Sequence, residues 1–195
     1  ILVDCARHVD ERLRSCVEAL DALAGRRAGK VHIGVASTAK YFAATALGGF
    51  KNRAPDLDLR LHVANRSEVV KALGSLETDL AIMGHPPEEL KVVSFELGDH
   101  PHVFIASPQH PLLLREQGSG TRILTERLLS KADVRPRNFM EISSNETIKQ
   151  AVMADFGLAL ISGHTIAAEI ESQRLAVLDV MGLPIIRKWY LVRHH

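Results

Sequence analysis

The sequence predicts an α/β fold in two lobes, preceded by a separate helix. Three observations predict it. Strand-like and helix-like segments alternate from residue 30 onward. The alternation runs twice, each run taking roughly half of residues 30–195. Ahead of both, residues 1–25 carry apolar side chains at helical spacing and end in the glycine-bounded stretch Gly25-Arg26-Arg27-Ala28-Gly29.

Bulk properties agree with a folded, water-exposed chain. Of 195 residues, 46% are hydrophobic, enough for a sizeable core, and 24% are charged. The net charge of +1, with ten histidines counted neutral, argues against a large basic surface for nucleic acid on this chain. No apolar run reaches the ~18 residues of a membrane span, and no signal peptide is visible. Cys5 and Cys16 sit too far apart on the first helix to bridge each other, so reduced thiols in a cytoplasmic protein are expected.

In the first segment Leu2, Ala6, Val9, Leu13, Cys16, Leu20 and Leu23 alternate steps of four and three, a heptad seam with charged residues between. Two readings of this seam stand. One is a helix that pairs with a second chain, favoured by the strict alternation. The other is an amphipathic helix lying on its own domain.

The first lobe opens with "KVHIGVA" (30–36), a strand rich in β-branched residues. A helix over 39–55 stops before Pro55. "LDLRLHVA" (57–64) is a strand, 67–77 a helix and 78–84 a short apolar strand. This β-α-β-α-β order predicts parallel pairing through right-handed crossovers. "VVSFELGD" and "HVFIASP" read as two further strands. The second lobe repeats the pattern: "TRILTERLLSKA" a helix, "NFMEIS" a strand, "NETIKQAVMAD" a helix, "GLALIS" a strand and "TIAAEIES" a helix. "RLAVLDV" and "KWYLVR" close the chain as strands.

The informative residues lie where strands end and helices begin. These are Ser37 and Thr38, Asn65 and Arg66, Gly84 and His85, the loop Gln117-Gly118-Ser119-Gly120-Thr121, and Asn145 with Glu146. Each helix start offers unpaired N–H groups and the positive end of a dipole, which favour an anion. If the lobes face each other, these starts converge on one pocket. Capping explains some of the same residues without any ligand, since Ser143…Glu146 and Asn65…Glu68 fit the capping box. Repetition at corresponding positions of both lobes favours a site. Lys40, Arg66, His85 and Arg122 are the basic groups nearby.

Other chemistries lack parts. His100-Pro101-His102 has no third or fourth ligand at metal-site spacing. There is no Gly-x-Ser-x-Gly elbow, and no carboxylate pair stands out as acid and base, so no enzyme is expected.

Taken together, "GKVHIGVAST", "DLAIMGHPP", "SPQHPL", "REQGSGTR", "SSNETIKQAVMADFGLALISGHTIAAEI" and "WYLVR" resemble the effector-binding part of LysR-type transcriptional regulators, in the branch that controls carbon-fixation genes. The resemblance implies two Rossmann-like lobes of the type 2 periplasmic-binding-protein kind. It implies a linker and dimerisation helix over 1–27, a subdomain I over 28–107 and 174–195, and a subdomain II over 108–173. It further implies no cofactor. The effector would be a small anion such as ribulose bisphosphate, phosphoenolpyruvate or a nicotinamide nucleotide. Self-association as a dimer or tetramer is implied as well, with promoter DNA bound only through an N-terminal winged helix-turn-helix that is absent here. Two departures stand out: His85 where relatives carry arginine, and a short connection between "QHPL" and "REQGSGTR". A solute-binding protein of the same architecture is the alternative.

Overall fold

The computed structural model describes residues 9, 10, 13, 16 and 17, then 29–106, 111–136 and 138–195. Within the first helix, Val9, Leu13 and Cys16 of the heptad seam are helical and exposed, as is Val17. The rest of that helix, and the segment 107–110 at the end of the expected "HVFIASP" strand, lie outside the described residues.

The chain divides into two compact units. Unit 1 comprises Ile1–Ala64, Glu68–Glu96 and Tyr190–His195, and unit 2 comprises Asn65–Ser67 and Leu97–Trp189.

Unit 1 is built as the alternation predicts. Strand β1 (Gly29–Ala36) leads into helix α1 (Lys40–Arg53), β2 (Leu57–Ala64), α2 (Arg66–Gly74, its first two residues counted with unit 2) and β3 (Leu80–Met83). Strand β1 pairs in parallel with β2 from Gly29↔Leu57 to Ala36↔Ala64, and with β3 at Ile33↔Leu80. The carboxyl ends of all three strands therefore lie along one edge of the sheet. Strand β3 pairs antiparallel with the last strand, β8 (Ile185–His194). Helix α2 buries Val69, Ala72 and Leu73, an i, i+3, i+4 stripe, against a core that includes Ile33, Val35, Met83 and Val192. Asp79 ties the start of β3 to β1: its carboxylate accepts from the His32 N–H at 2.7 Å, and its own N–H donates to the His32 carbonyl at 2.8 Å.

Unit 2 holds most of β4 (Val92–Ala106), then β5 (Leu112–Leu114), α3 (Gly120–Lys131), β6 (Phe139–Glu141), α4 (Asn145–Met153), β7 (Leu158–Ser162), a 3₁₀ turn (Gly163–Thr165), α5 (Ala167–Glu171) and the first half of β8. Strands β5, β6 and β7 are mutually parallel, at Leu112↔Phe139 and Leu112↔Leu158, whereas β4 runs antiparallel to β7 at His102↔Ser162. Val103, Ile105, Leu113, Ile148, Ile161 and Ile166 fill its core.

Three local expectations need correction, and one strand went unpredicted. The two strands expected over 92–108 form one continuous strand, β4. It passes through the expected break at His100-Pro101; just before it Gly98 takes φ +146°, a conformation side-chain-bearing residues avoid, and the Lys188–Asp99 ion pair at 2.9 Å ties this stretch to β8. "RLAVLDV" forms no strand: a single bridge joins Val177 to Ile105, and Leu178 N–H donates to the Phe104 carbonyl. "TIAAEIES" gives a 3₁₀ turn and a five-residue helix. "LLL" is a fully buried parallel strand, too short to show any periodicity in the sequence.

Candidate functional site

Within unit 2 three of the predicted helix starts come together. The loop after β5 turns at Gly118, whose φ is +84°. A side chain there would meet Ser67 Oγ at 2.9 Å and Asn65 Oδ1 at 3.3 Å, so only glycine lets the loop approach the start of α2. Ser67 N–H closes the contact by donating to the Gly118 carbonyl at 3.2 Å, and Gly120 packs on the Arg66 side chain. The third segment joins through Arg115, the residue that follows β5. Its Nη1 donates to Asn145 Oδ1 at 2.5 Å, linking the loop to the first residue of α4.

The two helix starts are built alike. Ser119 caps α3 by accepting from Arg122 N–H at 3.4 Å, and Ser144 caps α4 by accepting from Thr147 N–H at 3.3 Å. The cap of α4 is thus Ser144, one residue beyond the expected Ser143, and Glu146 is engaged elsewhere. The N–H groups of Gly120 and Thr121, and of Asn145 and Glu146, precede these bonds and take no partner from their own helix. Ser119, Thr121 and Asn145 are buried, Gly118 and Gly120 partly so, and Gln117 is exposed. This surface of amides and hydroxyls at two dipole ends suits a small anion.

Unit 2 also buries three cations, of which the sequence pointed only to Arg122 as a partner for an anion. Arg115 holds both oxygens of Glu116, Nε to Oε2 at 2.7 Å and Nη2 to Oε1 at 2.8 Å. Arg122, expected to meet an anion, is instead held by Glu126 at 2.5 Å and Glu141 at 2.8 Å. Burial pulls its pKa down, but the bonds to the two carboxylates outweigh that and raise it. Lys149 lies between Glu146 and Glu169, each at 2.9 Å, and donates to the Thr165 carbonyl at 3.1 Å. Here too burial lowers the pKa, and the bonds to Glu146 and Glu169 override it. The one signal available in sequence was an arginine placed directly after the apolar run "LLL".

The remaining predicted residues belong to unit 1. Ser37 N–H donates to the Ala64 carbonyl at 2.8 Å, and Thr38 is buried at the same carboxyl edge. Helix α1 starts from Ala39, which supplies no side-chain cap. Gly84 is partly buried. His85 is half in solvent and pairs with Glu88 at 3.5 Å, while Lys40 lies 5.1 Å from the Tyr41 ring centre.

His100 and His102 are a packing cluster. Their ring centres are 4.1 Å apart, and His100 stacks on Trp189 at 3.6 Å with planes 18° apart. Both imidazoles are buried. Burial, then the nearby His102, His164 and Arg187, lowers the pKa of His100 to about 2, and burial with Arg187 lowers that of His102 to about 4. Among the described residues no group of three or more ligating side chains could hold a metal ion. No described helix is long and apolar enough to cross a membrane.

Comparison with known proteins settles the family. The family model described as the LysR substrate binding domain matches residues 24–195. The chain belongs to that family. Its regulatory-domain fold is of the periplasmic-binding-protein type 2 kind. Over 98% of its length the LysR chain is 45% identical to the HTH-type transcriptional regulator CbbR of Xanthobacter flavus, covering 63% of that protein. It is 40% identical to the RuBisCO operon transcriptional regulator of Allochromatium vinosum over 96% of its length and 67% of the relative's. It thus spans about two thirds of these regulators. Among solved structures, the CcmR regulatory domain of Synechocystis PCC6803 in complex with 2-PG superposes with a TM-score of 0.79 at 33% identity, over 85% of this chain and 88% of that one.

Proposed function

We propose that this chain is the effector-sensing domain of a CbbR-like LysR regulator, and that it holds a small anionic, phosphorylated metabolite on the helix starts of unit 2. The observation that carries the reading is the junction of Asn65–Ser67, the 115–121 loop and Asn145, which groups amides, hydroxyls and a buried arginine. It is supported by the ligand of a relative, 2-phosphoglycolate on CcmR, whose class suits such a surface. Ribulose bisphosphate, phosphoenolpyruvate and nicotinamide nucleotides share that class. Ser37, Thr38, Gly84 and His85 on the carboxyl edge of unit 1 are proposed as further ligand contacts.

The sensing needs no reaction. An effector shifts a conformational equilibrium by its differential affinity for the states involved. The rest of the proposal concerns the whole regulator: promoter DNA bound through a winged helix-turn-helix, pairing of chains through the helix over 1–27, and a cytoplasmic location. The regulators among its relatives favour this reading over a solute-binding protein of the same fold.

A thermal-shift screen of sugar phosphates, carboxylic acids and nucleotides, followed by calorimetry, tests it. A ligand at a hundred times its Kd adds about 2.7 kcal/mol of stability. Ser119→Ala and Thr121→Val are expected to lose binding and remain folded. Unchanged affinity in both would place the ligand elsewhere.

A further inference from the structure

We propose that Glu116 is a resident counter-ion on Arg115, and that an anionic effector binds by taking its place on the guanidinium. This rests on reading the 115–121 loop as the anion seat.

The geometry is that of a ligand already in position. Nε and Nη2 of Arg115 grip the two oxygens of Glu116 at 2.7 and 2.8 Å, the parallel double bond by which arginine recognises a carboxylate or a phosphate. The third arm, Nη1, is anchored on Asn145, and the Arg115 carbonyl accepts from Arg122 Nη1 at 2.8 Å. The guanidinium is therefore held by Asn145 at the start of α4, and the backbone behind it by Arg122 of α3, whichever anion fills its fork. Only 3% of the Arg115 side chain is exposed, against 19% for Glu116. Glu116 is the member of the pair that reaches solvent and can leave.

The neighbouring cations are tied by residues more distant in sequence. Arg122 and Lys149 are each held by two carboxylates, from residues up to twenty positions away. Glu116 is adjacent to Arg115 in sequence, so rotation about its side chain withdraws its carboxylate from the fork. A bound carboxylate or phosphate then restores the neutralisation that Glu116 supplied, and no buried charge is left uncompensated. The released carboxylate moves to water, where its solvation offsets the lost bonds. The class of ligand follows: a small molecule with a terminal carboxylate or phosphate that presents two oxygens side by side. Glu116 sets the affinity threshold by competing for the same donors.

The test is calorimetry on the full chain with 2-phosphoglycolate and, separately, inorganic phosphate, with unfolding followed for each variant. Glu116→Gln keeps the size and removes the charge, and is expected to bind about tenfold more tightly. Arg115→Gln is expected to bind at least about tenfold more weakly. Arg115→Lys, which keeps a charge without the fork, serves if the glutamine variant does not fold, and is expected to weaken binding too. In the double variant Arg115→Gln, Glu116→Gln, the gain from removing Glu116 should vanish. If the wild-type chain binds either probe and Glu116→Gln binds equally or less well, the exchange is overturned while the seat stands. If the wild-type chain binds neither, the seat reading falls and the exchange with it.

Discussion

The two units solve burial differently. Among the described residues, unit 1 buries two polar side chains, Thr38 and Thr78, and otherwise packs aliphatic groups. Unit 2 buries Arg115, Arg122, Lys149, Glu169, Asn145 and two histidines in a domain of similar design. Burying a charge is costly unless it is paired and hydrogen-bonded, so each of these groups constrains its partners in a way an isoleucine does not. The stability of unit 1 rests on apolar transfer. That of unit 2 depends on which groups are ionised. The same unit carries the candidate anion seat, and fixed charge in a nearly dry setting is what such a seat requires.

Substitutions and pH can break this contrast. The largest effect is expected at Lys149. Lys149→Met takes from the buried Glu169 its cation at 2.9 Å and leaves it Arg174 at 3.9 Å, at a cost of about 3 kcal/mol in chemical denaturation. A loss below about 1 kcal/mol would mean that the network contributes little.

Acid comes next. Folding depresses the pKa of both His100 and His102 below 6.5, so the native state favours their neutral forms. Their stabilisation is complete above pH 6.5. It falls away as pH drops below that value, toward about 4 for His102 and about 2 for His100. Each group contributes a slope of about 1.4 kcal/mol per pH unit within its window. Hydrogen exchange between pH 7 and pH 5 should show β4 and β7 losing protection while β1 to β3 keep theirs. His100→Phe retains the stack on Trp189, removes two buried ring nitrogens without partners, and should flatten the profile.

The smallest effect comes from one substitution type with opposite signs. A Cβ on Gly157 of unit 2 would lie 2.7 and 2.8 Å from the Leu113 methyls and closer still to its Cγ, so Gly157→Ala should cost about 1–3 kcal/mol. A Cβ on Gly48, inside α1 of unit 1, meets nothing within 4 Å, and Gly48→Ala should stabilise by roughly 0.5–1 kcal/mol. Thermal melts of the two variants decide both signs.

Unit 1 was the more legible half for the same reason. Strands β1 and β2 alternate, helix α2 carries an apolar stripe, and the parallel order follows from residue types a few positions apart. In the candidate site, the helix starts at 118–121 and 145 were legible because capping and glycine chemistry are local. The cations were not. Lys149 meets Glu169 twenty residues on, and Arg115 meets Asn145 thirty residues on, pairings that no periodicity announces. Strand β4 runs on through His100-Pro101, against the break expected there, because the pairing offered by its neighbours outweighs the local signal.

Trp189 is the single tryptophan of the chain, and it lies face to face with a neutral imidazole. Indole emission is quenched by a protonated imidazole far more than by a neutral one. The molecule therefore carries an intrinsic optical probe at one known spot in unit 2, readable without dyes or labels.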